Sequence, residues 1–157
     1  MTIDEIIGFM QGLDGVLAVT PAPGDGSPEI SWGDTFFSYS PDGAVPATAQ
    51  PFATIVTKNY PGDESSLLDR PGTFRVNVAA GKGLFREWTG HAPHEPVIDI
   101  VPGVTDTVVA HPVYGCAAWL AVVNPGPRTD AAVRLLLHEA HRLARVRHER
   151  RAGSTRP

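Results

Sequence analysis

Residues 73–78 read TFRVNV. In an extended chain, successive side chains point to opposite faces. Phe74, Val76 and Val78 then face one way, and Arg75 and Asn77 face the other. The segment predicts a strand that buries three apolar groups and presents two polar ones.

Neighbouring segments extend this reading. FATIVTK (52–58) is a second strand, and GVLAV (15–19) a short one. EISW (29–32) and TFFSYS (35–40) predict a hairpin around Gly33 and Asp34. Such close spacing favours antiparallel pairing over a βαβ crossover. TDTVVA (105–110) is another short strand. Residues 96–102 form a weak edge strand, limited by two prolines. GCAAWLAVVN (115–124) is apolar on both alternating faces and reads as the central strand.

Helices are expected at both ends. TIDEIIGFMQGL (2–13) starts with Thr2 and Glu5 at the spacing of a capping box. GKGLFREWTG (81–90) predicts a short helix with Leu84, Phe85 and Trp88 turned inward. After the breaker NPGPR, a long helix begins near Thr129 or Asp130. Its apolar side runs through Val133, Leu136, Leu137, Ala140, Leu143 and Ala144. The predicted fold class is α+β: a mainly antiparallel β-sheet packed with N-terminal and C-terminal helices over one face. Residues 1–150 form a single compact domain, and 151–157 a flexible basic tail.

Composition agrees with this architecture. The 157 residues are 42% hydrophobic, and a chain of that length buries a sizeable core unaided. The single cysteine, Cys116, excludes an intrachain disulfide and fits a cytoplasmic setting. It is expected to be buried and inert, because it opens the apolar run CAAWLAVV. That run, eight residues long, is too short to cross a membrane, and MTIDEIIGFM does not resemble a secretory leader. Charge is asymmetric. Residues 1–127 carry 5 Lys/Arg against 14 Asp/Glu, a net −9; residues 128–157 carry 8 Arg against 3 acids, a net +5.

Local motifs exclude several chemistries. AAGKGLF lacks the full phosphate-loop spacing, and no GxGxxG or GxSxG segment occurs. His91 and His94 of HAPH supply two of the three or four ligands that zinc requires, so no metal is assigned. His138, His141 and His148 share a helix side with Arg134 and Arg145, off the apolar side, and are expected to face solvent.

A distributed polar set is more informative. Lys58 and Tyr60 lie in TKNYPG, Arg75 and Asn77 in FRVNV, and His111 and Tyr114 in HPVYG. If the strands converge, Lys58 or Arg75 binds a small carboxylate while Tyr60 and Asn77 orient it. His111 then exchanges a proton near neutral pH, with Tyr114 as a weaker acid–base group. The competing reading gives these groups structural partners at the edge of the core.

PFATIVTKNYPG, LLDRPGTFRVNV, VVAHPVYG, AAWLAVVNPG and the terminal helix, taken in order, resemble an uncharacterised family of small actinobacterial proteins. The resemblance covers roughly residues 2–148 and implies a single domain. It marks Lys58, Tyr60, Arg75, Asn77, His111, Pro112 and Tyr114 as motif positions. A wider likeness is to YjbR/MmcQ-like α+β domains. This chain has VNPG where related chains more often have LNPS, which removes a serine hydroxyl.

The functional expectation is a cytoplasmic small-ligand-binding or accessory domain that needs no cofactor. The alternatives are an acid–base enzyme acting on a small carboxylated metabolite and a protein-interaction domain. The partners implied are a small anionic metabolite and a second copy in a homodimer. A membrane is not expected, and the acidic main body opposes nucleic acid.

Overall fold

The computed structural model describes residues 1–96 and 101–155. In chain order its elements are α1 (Ile3–Gln11), β1 (Val16–Val19), β2 (Thr35–Tyr39), β3 (Ala53–Val56), β4 (Arg75–Ala79), α2 (Gly81–Thr89), β5 (Val109–Ala110), β6 (Trp119–Val123) and α3 (Asp130–Ser154). The six strands form one sheet in the order β1-β2-β3-β4-β6-β5, and every pairing is antiparallel. The fold is therefore α+β, with helices at both chain ends.

Register divides the sheet into two unlike faces. Val76 lies opposite Ile55 and Val122, and Val78 opposite Ala53 and Leu120. These side chains are buried, together with Phe37 of β2. Ile6 and Met10 of α1, Phe85 of α2, and Val133, Leu136, Leu137 and Ala140 of α3 complete that core. Each fully buried large apolar side chain contributes roughly 1.5–3 kcal/mol relative to exposure. On the other face, Asn77 lies opposite Thr54 and Ala121, and Arg75 opposite Val56 and Val123. Val56 and Val123 pack with Leu68 into a small second cluster. The alternation of TFRVNV thus separates an apolar core from a buried polar layer.

The ends of α1 and α3 are fixed by different means. Thr2 and Glu5 form the expected capping box. Thr129, the residue before α3, makes no side-chain cap bond. Instead Asp106 reaches over from another segment. Its Oδ1 accepts from Gly126 N at 2.8 Å, Thr129 N at 3.0 Å and Thr129 Oγ1 at 2.6 Å, and its Oδ2 from Arg128 N at 3.1 Å.

Several local expectations are corrected. EISW is not a strand: Glu29–Ser31 form a 3-10 turn, and β2 pairs with β1 instead. Pro28 removes a backbone donor just before that turn, and the edge of β2 available to EISW is already taken. Trp88 is 40% exposed, because α2 buries only Phe85. His141 is buried at 7% exposure, with its Nε2 2.7 Å from the Asp14 carbonyl. α3 continues to Ser154, into the segment expected to be a tail, since Arg and Ala favour helix. The strand expected over 96–102 falls largely outside the described residues. No helix among the described residues is long and apolar enough to cross a membrane.

Candidate functional site

Arg75 is the centre of the buried polar layer, at 2% exposure. Its guanidinium has five N–H donors, and four of them meet an acceptor in the protein. Nε donates to Asn77 Oδ1 at 2.7 Å. Nη1 donates to Asp63 Oδ1 and Ser66 Oγ, both at 2.9 Å. Nη2 donates to Asp63 Oδ2 at 2.6 Å and lies 3.1 Å from His111 Nε2. Asn77, two residues along the same strand face, passes the network on to Thr54 Oγ1 at 3.0 Å.

Local folding explains how these groups meet. Asp63 N donates to the Tyr60 carbonyl at 2.9 Å, which closes a tight turn. Asn59 pins the rest of that loop: its backbone and side chain donate to Asp69, and its Oδ1 accepts from Leu68 N. Asp63 and Ser66 are thereby held over β4. Burial pushes the Asp63 carboxyl upward, but the hydrogen bond and charge of Arg75, with a smaller contribution from His111, outweigh it and hold its pKa below the ordinary value.

His111 enters from the end of β5. Its Nδ1 accepts from Val113 N at 3.0 Å and Tyr114 N at 2.9 Å. Burial, and next the positive charge of Arg75, push its pKa down to about 4, against the opposing pull of Asp63. The ring is therefore neutral near pH 7, with one N–H and one ring lone pair. Two backbone donors claim the lone pair at Nδ1, so the proton resides on Nε2. That N–H faces Arg75 Nη2, a guanidinium nitrogen that is also a donor and offers no lone pair.

HPVYG is the turn between β5 and β6. His111 N donates to the Trp119 carbonyl and Gly115 N to the His111 carbonyl, both at 2.9 Å. Gly115–Ala117 form a 3-10 turn that ends at Ala118 with φ +63°. The apolar run therefore begins as a loop, and Cys116 is exposed rather than buried in a strand. Tyr114 is 56% exposed, its ring centroid 4.9 Å from that of His111.

Lys58 and Tyr60 belong to a second cluster around Asp34, which is fully buried. Lys58 Nζ donates to the carbonyls of Ile30 and Trp32 at 2.8 Å and to Asp34 Oδ1 at 3.1 Å, which uses all three ammonium hydrogens. Thr57 donates to Asp34 through both its backbone and its hydroxyl, and the Tyr60 hydroxyl bonds Oδ2. Burial first, then the Asp34 hydrogen bond and charge, raise the Tyr60 pKa above the ordinary phenol value. The structure thus joins Arg75, Asn77 and His111, and sets Lys58 and Tyr60 in a neighbouring cluster linked through the Tyr60–Asp63 turn.

A cavity of about 490 Å³ opens beside the first cluster, at the β5 edge of the sheet. His111 and Ser66 form part of its wall, with Phe85, Val109, Val104 and Val123 supplying apolar surface. His94, Glu95 and Cys116 also border it. No Lys or Arg lines it among the described residues. His91 lies against Phe85 instead, with Nδ1 2.9 Å from the Ala92 carbonyl. Among the described residues no three His, Cys, Asp or Glu side chains gather as a metal site.

Sequence reasoning missed Asp63, Ser66 and Asp34. Each sits in a loop or at a strand end without periodicity. The one available signal was charge: an arginine on an inward-reading strand requires a buried carboxylate partner.

A family model described as a family of unknown function, DUF6194, matches residues 1–153. No curated protein and no solved structure matches the chain.

Proposed function

The chain belongs to the family of unknown function DUF6194, and within that frame we propose that it is a cytoplasmic small-ligand-binding domain whose ligand occupies the cavity beside His111. The observation that carries this reading is the cavity itself: about 490 Å³, largely apolar in lining, with a few fixed polar groups in its wall. That size and makeup fit small-molecule sites generally. The buried hydrogen bonds behind it support the same reading, since Arg75 holds Ser66 and the backbone of Val113 and Tyr114 holds the His111 ring before any ligand arrives. Preorganised walls reduce the entropy that binding must overcome.

Binding is favoured over acid–base catalysis by the state of His111. A ring neutral down to about pH 4 is a poor proton donor at pH 7, and its lone pair is already engaged by Val113 N and Tyr114 N. Arg75 does meet a carboxylate, but it is that of Asp63.

Val109→Trp tests the proposal by filling the cavity from a two-residue strand that pairs on one side only. Compounds from a metabolite library that raise the thermal midpoint of the native protein are expected to lose that effect in the variant. Equal responses from both proteins would place the ligand elsewhere. Substrate turnover that is abolished by His111→Asn, with folding retained, would instead favour the enzyme.

A further inference from the structure

The hydrogen bonds in the cavity wall narrow the ligand's chemistry. Ser66 is 7% exposed and lines the cavity. Its Oγ accepts from Arg75 Nη1, and its own hydroxyl hydrogen has no acceptor among the described residues. His111 is 4% exposed and lines the same cavity. With Nδ1 engaged by two backbone donors and Nε2 facing Arg75, its ring offers the cavity no free acceptor. One polar hydrogen in the cavity wall, that of the Ser66 hydroxyl, therefore goes unmatched by the protein, which is costly in an apolar setting.

Charge decides what kind of acceptor suits it. The Arg75 charge is neutralised by the paired Asp63 carboxylate. Among the described residues the cavity has no Lys or Arg in its lining, and Glu95 stands at its border. A ligand carboxylate would bring a further negative charge toward Asp63 and Glu95 with no free cation to meet it. A neutral oxygen acceptor carries no such penalty.

Resting on the ligand-binding reading above, we propose that the cavity takes an uncharged carbonyl compound with an apolar body, whose oxygen accepts a hydrogen bond from the Ser66 hydroxyl. The apolar body lies against Phe85, Val104 and Val109. The ligand class is thus a ketone, ester or amide, not a small anion.

The test uses the full-length protein and two matched probe series. One is straight-chain methyl ketones of increasing length, ¹³C-labelled at the carbonyl; the other is carboxylates of equal carbon count. Ketone binding is expected, with the carbonyl ¹³C resonance moving downfield as it accepts a hydrogen bond. Ser66→Ala is expected to weaken ketone binding about tenfold, the equivalent of one hydrogen bond. Because Ser66→Ala also removes a partner of Arg75, the carbonyl shift in the native protein provides a readout independent of folding. Tighter binding of the carboxylates would overturn the ligand class and leave the binding reading standing. Ketone binding with an unmoved carbonyl resonance would overturn the role of Ser66. Binding of neither series would overturn both the class and the reading beneath it.

Discussion

Arg75 is buried, yet each of its N–H groups faces a protein side chain, and one carboxylate, Asp63, balances its charge. Breaking such a pair leaves a lone charge out of water. Asp63→Asn is expected to lower unfolding stability by roughly 3–5 kcal/mol in urea titrations. The double change Arg75→Met with Asp63→Leu removes both charges and is expected to cost less than Asp63→Asn alone. His111 adds a pH dependence. Its folded pKa of about 4 lies below the ordinary 6.5, so the unfolded chain binds the extra proton between those values. Its contribution to stability is full above pH 6.5 and is lost as pH falls toward 4. Asp63, also held below its ordinary value, loses its contribution at lower pH still. His111→Asn retains an acceptor near the Nδ1 position and cannot titrate. Its stability is expected to be flatter between pH 6.5 and 4 than that of the native protein.

At the level of elements, α3 is started from outside itself. Asp106 caps its first turn from a segment more than twenty residues earlier, whereas Asp25 bonds only within its own loop, to Ala22 and Ser27. Asp106→Ala is therefore expected to depress the thermal midpoint more than Asp25→Ala, as measured by circular dichroism at the helix band. The helix cores of α1 and α3 were legible because their apolar spacing and, for α1, the capping box are written locally. The Asp106 cap was not legible, since nothing at Thr129 points to a partner so distant in sequence. His141 was legible and misread. It follows Leu137 by four residues and so continues that residue's buried side. The apolar run CAAWLAVV misled for a different reason: Ala118 adopts a positive φ, which composition does not reveal, and the strand starts only at Trp119.

The whole molecule is a sheet with an apolar face under helices and a polar layer on its reverse. TFRVNV carried both halves of that division, because period-two alternation survives folding intact. The site was legible only in part. Arg75, Asn77 and His111 could be named from strand and turn patterns, but Asp63 and Ser66 come from a loop whose course is set by tertiary contacts. Beyond Ala144, α3 buries no side chain, and its remaining residues up to Ser154 are mostly exposed. Ending the chain after His148 is expected to change stability by less than about 0.5 kcal/mol in urea, as for other surface changes. The most direct test of the ligand site is an amide ¹H–¹⁵N titration of the native protein with a methyl ketone. Saturable shifts concentrated at Ser66, Ala110, His111 and Gly115 are the predicted result. Shifts confined to the separate hollow bordered by Ile3, Asp4, Thr57 and Phe74, or no saturable shift at all, would contradict it.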